Sequence, residues 1–240
     1  MPANVLVEAL RPVVDLVYPP RCPLCGDALA AQEGLCHDCW QTLDLPGGND
    51  CARCGMPTAN RGVCAACTAA PPACDRIVAA TFYNDASRQL VLKFKHGRRI
   101  ALARLMSRMM ARHLPHNARD SVLVPVPLHW RRLWERGYNQ SALLAHEMGR
   151  ATGAIVALDV LKRSRATPSL GQLGRRARAE ILRDAILPTR NAARIVGGRR
   201  VIVVDDVYTS GATGMACVRA LRQAGAEAVT ISCFARVTDH

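Results

Sequence analysis

Eight of the eleven cysteines in this 240-residue chain form four Cys-x-x-Cys pairs: Cys22/Cys25, Cys36/Cys39, Cys51/Cys54 and Cys64/Cys67. The gaps between the pairs are 10, 11 and 9 residues. A Cys-x-x-Cys turn aims two thiolates at one point. Two such turns joined by a short hairpin present four thiolates as a tetrahedron, the geometry zinc takes. Gly26 and Gly55 each follow the second cysteine of a pair, where a knuckle turn calls for positive φ. Residues 21–70 have no long periodic segment and cannot bury enough apolar surface alone, so a metal staple is needed. Sequential pairing gives sites 22/25/36/39 and 51/54/64/67; a cross-braced arrangement fits the same spacing. With four cysteines each, both sites are closed and structural. A redox dithiol would want one pair beside a βαβ unit, not four in series. Cys74, Cys217 and Cys233 lack ligand spacing and are expected in the core.

Disulfides are the competing use of paired cysteines, and they need an oxidising compartment. Residues 1–20 do not read as an export signal, because Glu8, Arg11 and Asp15 interrupt the apolar stretch and the start is not basic. Leu6, Leu10, Val13, Val14 and Val17 instead predict an amphipathic helix over 1–20, ended by Pro19-Pro20. No apolar run is long enough to cross a bilayer. The expectation is a cytoplasmic, reduced protein without membrane insertion.

The net charge of +13 is unevenly placed, with −3 on residues 1–74 and +16 on residues 75–240. Eight zinc-bound thiolates would bring the whole chain nearer to about +9. A basic second part suits polyanionic partners: phosphorylated small molecules, nucleic acid or an anionic membrane surface. There, apolar strand-like runs alternate with helical periodicity: RIVAATFY, SRQLVLKFKH, ALARLMSRMMARHL, SVLVPVP, SALLAHEMGRAT, RVIVVDD, TGMACVRALRQAG and AVTISCFARV. Residues 158–161 and 185–187 are weaker strand candidates. The alternation predicts an α/β domain over 75–240, a parallel sheet with helices on its faces.

The most informative segment is VIVVDDVYTSGATG, residues 201–214. A buried strand ends in Asp205 and Asp206, a turn of small hydroxyl residues and Gly follows, and a helix begins. Ligands of open α/β sheets sit at such strand ends, and a helix N-terminus offers free N–H groups to a phosphate. Thr209, Ser210 and Thr213 add hydroxyls, while Gly211 lets the backbone approach closely. The paired acids suit vicinal ribose hydroxyls. A P-loop reading needs GxxxxGK[ST], yet Gly-Lys occurs nowhere; GxGxxG is also missing.

PVPLHWRRLWERGYNQ, residues 125–140, reads as an arginine-dense loop after a strand. Arg131, Arg132 and Arg136 are candidates for bidentate phosphate contacts. Trp130, Trp134 and Tyr138 are base-stacking platforms or core, with core favoured for at least one. Residues 162–183 carry seven bases and one acid and suit a mobile, phosphate-attracting flap or, equally, a disordered basic surface loop.

Residues 201–213 resemble the signature of type I phosphoribosyltransferases. That resemblance implies that Asp205 and Asp206 hold the ribose hydroxyls of phosphoribosyl pyrophosphate, and that Thr209, Ser210, Gly211, Ala212 and Thr213 cradle its 5-phosphate with Mg²⁺ present. CPLCG with CHDCW, CARCG, LKFKHG, PVPLHWRRLWERGYNQ and VIVVDDVYTSGATG, in this order, resemble the ComF family, associated with DNA uptake and related to proteins labelled GntX. The resemblance implies a double zinc-ribbon module over 21–70 and a phosphoribosyltransferase-like domain over 75–240. It further implies an accessory of transformation that handles incoming single-stranded DNA, while an adaptor reading takes the zinc module as a docking surface for a helicase-like competence partner. The sequence departs from the family pattern at Leu170, Ile181 and Ile186. No residue stands out as a general base, and a non-catalytic binding or adaptor role on the same fold is the alternative.

Overall fold

The computed structural model describes residues 19–30, 34–96, 101–115, 118–164 and 185–238. The helix expected over 1–20 lies, but for its two closing prolines, outside the described residues. So do Gly97 and residues 165–183 of the expected flap.

Two one-turn helices, α1 (His37–Gln41) and α2 (Ala65–Ala69), mark the cysteine-rich segment. Then follow β1 (Arg76–Phe82), α3 (Asp85–His96), α4 (Leu102–Ala111), β2 (Val122–Pro125), α5 (Trp130–Arg136), α6 (Gln140–Thr152) and β3 (Ile155–Val156). The chain closes with β4 (Leu161–Arg163), β5 (Ile186–Pro188), α7 (Ala192–Val196), β6 (Arg200–Tyr208), α8 (Ala212–Gln223) and β7 (Ala228–Arg236).

Five strands form one parallel sheet in the order β1-β7-β6-β2-β3. Parallel strands are covered on both faces, which is why they read as unbroken apolar runs. Alternate residues of β6 serve opposite cores. Val201 and Val203 pack with Val218 and Leu221 of α8. Ile202 and Val204 pack with Phe94 of α3, Met106 of α4 and Leu144 of α6. Cys74, Cys217 and Cys233 are buried, as their spacing suggested.

β4 and β5 pair antiparallel in a separate two-stranded sheet, apart from the main one. Their apolar runs are too short to carry a period, so the sequence showed strands there but not their pairing. Residues 130–136 are helix rather than the expected loop. His129 caps it, Nδ1 accepting from Arg131 N at 3.4 Å, and Gly137 ends it at φ 77. β6 also runs on past both aspartates to Tyr208, because Val207 and Tyr208 still pair with Ala235 and Arg236.

The cysteine-rich segment lies along β1, an edge strand of the sheet. Ile77 N donates to Arg53 O (2.8 Å), and Phe82 N and Thr81 Oγ1 both donate to Asp44 O (2.7 Å each). Lys93 Nζ donates to Pro23 O at 2.5 Å, and Leu43 is buried in the core on that face. An edge strand presents unpaired backbone groups, and here the ribbon segment satisfies part of them.

Candidate functional site

The eight paired cysteines make two clusters, Cys22/Cys25/Cys36/Cys39 and Cys51/Cys54/Cys64/Cys67, with all four Sγ atoms of each within 4.8 Å of one another. The pairing is sequential. Sγ of Cys25 and Cys36 are 3.5 Å apart and those of Cys54 and Cys64 3.8 Å. A Zn–S bond of about 2.3 Å in a tetrahedron places sulfurs about 3.8 Å apart, and a disulfide would place them at about 2.0 Å. The donor set and its spacing fit zinc. Gly26 and Gly55 take φ of 88° and 69°, the turn each knuckle required. Burial acts to raise the Cys51 thiol, but the amides of Cys54 and Cys64, which donate to its Sγ at 3.5 and 3.3 Å, outweigh it and favour the thiolate.

The second feature lies where β6 meets α8. Asp206 is buried, and its Oδ2 is 2.8 Å from Lys95 Nζ on α3. Asp205 is half-buried; its Oδ1 accepts from Ser141 Oγ (3.1 Å) and from Asp206 N (2.9 Å). Each carboxylate keeps one oxygen, Asp205 Oδ2 and Asp206 Oδ1, that accepts nothing among the described residues. Burial first, and the adjacent Asp206 charge second, push the Asp205 carboxyl up to about 7. The Asp205 carboxyl is thus about half protonated near neutrality.

The turn Thr209–Ser210–Gly211 follows, and α8 begins at Ala212 with Gly211 as N-cap at φ 76. A Cβ at Gly211 would overlap Tyr208 Oη and stand 2.6 Å from its Cζ, so this position needs glycine for space as well as for φ. No side chain caps α8, and the amides of Thr209, Ser210 and Gly211 donate to nothing among the described residues. The first amides of a helix have no partner of their own, so Ala212 and Thr213 extend the row of open donors.

Arg131, Arg132 and Arg136 sit on α5, reached from β2 through a loop whose Val126 N donates to Val204 O at 3.0 Å. Arg136 Nη1 donates to Gln140 Oε1 at 3.2 Å, and Arg131 lies 5.4 Å over the Trp130 ring. None of the three contacts the aspartates among the described residues. Trp130 is 60% exposed and Trp134 84% exposed, so neither is core. Tyr138 is the core-packed aromatic of the three, donating to Phe94 O. Asn139 fixes the start of α6: Oδ1 accepts from Ser141 N at 3.0 Å and Nδ2 donates to Val126 O at 3.1 Å.

Sequence reasoning missed Lys95 and Ser141, the two side chains that orient the carboxylates. Lys95 lies inside the LKFKHG run and Ser141 just after GYNQ, but neither segment shows which acid it meets. Arg163, which the sequence offered only as one of the seven bases of the expected flap, lies on β4. Burial first and the Arg132 charge second hold its guanidinium below the usual range, while Asp205 acts the other way, which links β4 electrostatically to the carboxylate site.

A double zinc ribbon domain model matches residues 13–68, and a phosphoribosyl transferase domain model matches residues 139–239. The DNA utilization protein YhgH of Escherichia coli (strain K12) is 32% identical over 92% of this chain and 99% of its own length. Competence protein F of Haemophilus influenzae is 28% identical over 90% of this chain and 96% of its own. Competence protein ComFC of Bacillus subtilis (strain 168) is 27% identical over 86% of this chain and 85% of its own. No helix among the described residues is long and apolar enough to cross a membrane. With two four-cysteine clusters ahead of a parallel α/β sheet and these full-length relatives, the chain belongs to the ComF family, a double zinc ribbon joined to a phosphoribosyltransferase domain.

Proposed function

We propose that the chain binds phosphoribosyl pyrophosphate between the ends of β6 and β2, and acts as a phosphoribosyltransferase in the handling of DNA taken up by the cell. The observation that carries the binding is the pair of open oxygens, Asp205 Oδ2 and Asp206 Oδ1, one turn from a row of open amides at 209–213. Vicinal ribose hydroxyls donate to the oxygens, and a 5-phosphate accepts from the amides and from Thr209, Ser210 and Thr213. Lys95 and Ser141 hold the acids in place. Arg131 and Arg132 on α5 stand on the β2 side of this site, where the pyrophosphate would leave. Acidic and arginine side chains together suit a ligand bound as its Mg²⁺ complex, and the ion, when bound, neutralises the departing pyrophosphate. The DNA role rests on the names of the relatives, a DNA utilization protein and two competence proteins.

Calorimetry with phosphoribosyl pyrophosphate and Mg²⁺ tests the binding. Wild type is expected to bind, and the Asp205→Asn/Asp206→Asn variant at least about tenfold more weakly. No heat from wild type, or equal affinity in the variant, refutes it. Release of pyrophosphate on offering acceptors tests the transfer.

A second reading has its own observation. α5 presents two exposed tryptophans beside Arg131 and Arg132, the pairing of aromatic faces and cations that takes up single-stranded nucleic acid. Single-strand binding that weakens steeply with salt, and weakens further in Trp130→Ala/Trp134→Ala, would support a binding protein.

A further inference from the structure

Arg236 closes β7 with its guanidinium turned in. The residue is 9% exposed, and its Nε and Nη1 are buried with no hydrogen-bond partner among the described residues. No carboxylate among the described residues forms an ion pair with it. A buried cation without a counter-charge is costly to hold, so something other than a carboxylate keeps this side chain in place.

The guanidinium lies between two surfaces. On one side is the knuckle of the second cysteine cluster. A Cβ at Gly55 would stand 2.6 Å from Ile77 O and 3.9 Å from Arg236 Nη1, so the glycine lets the knuckle close over both. On the other side is the Tyr208 ring, its centroid 5.1 Å from Cζ, a cation–π distance. Tyr208 and Arg236 are register partners across β6 and β7. The phenol in turn lies against the 209–214 segment. A Cβ at Gly211 would stand 2.6 Å from Tyr208 Cζ, and one at Gly214 would stand 3.3 Å from Cε1 at Gly211's side or Cε2 at its own, 3.2 and 3.3 Å respectively. Knuckle, guanidinium, phenol and turn thus form one packed row. Close-packed groups transmit a displacement rather than absorb it. Charge follows the same line. A four-cysteine site holding Zn²⁺ carries about −2, four thiolates against one divalent ion. Arg236 borders the same cavity as Cys54, Cys64 and Cys67, so the zinc-loaded cluster offers the negative charge that the guanidinium otherwise lacks.

We infer that Arg236 is a positioning residue: seated by the zinc-loaded second cluster, it sets the Tyr208 ring and through it the 209–214 turn, so that zinc in this cluster and a phosphate at the turn are coupled ligands. The inference rests on the phosphate reading of that turn given above. Coupling is reciprocal. A knuckle seated by zinc favours the turn that takes phosphate, and a bound phosphate favours the seated knuckle. The first knuckle supplies a matched control, because Gly26 has φ 88 and a Cβ there meets nothing within 4 Å.

The test uses the full, zinc-loaded chain labelled with 3-fluorotyrosine, the Tyr208 resonance being assigned with Tyr208→Phe. Gly55→Ala pushes the knuckle off Ile77 and keeps every side chain of the row, whereas Gly26→Ala repeats the backbone strain at the first knuckle. Gly55→Ala and Arg236→Met are each expected to move the Tyr208 fluorine resonance and to weaken phosphoribosyl pyrophosphate with Mg²⁺ about tenfold, with both zinc ions retained. Gly26→Ala does neither. Because both changes act through one row, Gly55→Ala/Arg236→Met should bind no more weakly than Arg236→Met. In the other direction, saturating phosphoribosyl pyrophosphate should slow the release of one of the two zinc ions to a chelator in wild type, and not in Arg236→Met. An unmoved resonance in Gly55→Ala overturns the link. That arm reads it even if wild type binds no phosphoribosyl pyrophosphate, a result that refutes the proposed function instead. A moved resonance with unchanged affinity, an equal effect of Gly26→Ala, or zinc release indifferent to the ligand also overturns it. If Gly55→Ala sheds its zinc, the zinc-release comparison of wild type with Arg236→Met decides.

Discussion

Gly211→Ala isolates what the turn after β6 demands. The residue sits at φ 76, where an L side chain is strained by about 1–2 kcal/mol. Alanine also restricts the unfolded chain, which returns about 0.4–1 kcal/mol. The backbone part alone therefore costs about 1 kcal/mol. Gly198 provides the control: its φ is 64, and a Cβ there meets nothing within 4 Å. At Gly211 the same Cβ overlaps the half-buried Tyr208 phenol, and overpacking adds about 1–3 kcal/mol. Urea unfolding in zinc-saturated buffer should thus show Gly211→Ala about 2–4 kcal/mol less stable than wild type, and Gly198→Ala about 1 kcal/mol less stable. Relief of the overlap moves Tyr208 or the 209–211 backbone, so calorimetric binding of phosphoribosyl pyrophosphate should fall in Gly211→Ala and hold in Gly198→Ala. Equal destabilisation by the two substitutions would refute the steric reasoning. Unchanged ligand affinity in Gly211→Ala would refute the claim that this turn carries the phosphate.

Three further outcomes are expected. Asp205 is protonated in the folded protein up to about pH 7 but loses its proton near pH 4 when unfolded, so folding stability should decline as pH rises across that window and level off above it. After allowance for its partial exposure the change is about 2 kcal/mol, and Asp205→Asn should remove it; equal slopes in urea midpoints between pH 4.5 and 8 would contradict this. Metal analysis should give two zinc ions per wild-type chain, one in Cys22→Ser/Cys39→Ser, and none in Cys22→Ser/Cys51→Ser, whereas cross-braced sites would give a different count. A fragment lacking residues 1–70 should aggregate on gel filtration, because it bares the β1 groups that Asp44 and Arg53 satisfy and the apolar face beneath Leu43; a monomeric, ligand-binding fragment would show the ribbon to be dispensable.

What the sequence made legible follows from how much of each feature is local. The strand RVIVVDD is a continuous apolar run because both faces of a parallel strand are covered, and it could be read alone. The zinc knuckles are equally local: two cysteines, two intervening residues and a glycine. The choice between sequential and cross-braced sites is a question of path in space, and the spacing left it open until the Sγ clusters showed sequential pairing. α5 was hidden because its arginines and exposed tryptophans give it no apolar face. β3, and the pairing of β4 with β5, were hidden because two or three residues cannot show a period. The segments expected over 1–20 and 162–183 lie largely outside the described residues.

The missed site residues share one cause. Lys95 and Ser141 reach the carboxylates of β6 from α3 and α6, so each contact is set by how the elements pack rather than by chain neighbourhood. β6 is central, between β7 and β2, and receives groups from both sides; the acids and small turn residues are local, while the charges that balance them are not. The same topology explains why the zinc module stands close to the turn. β7 lies between β6 and β1, so a ribbon laid along β1 and a loop at the end of β6 are separated by one strand, about 5 Å wide. Arg236, at the end of that strand, is the residue that faces both. Zinc therefore does more than hold a small segment folded: by fixing the knuckle at Gly55 against Ile77, it sets one wall of the space that Thr209 and Ser210 also line.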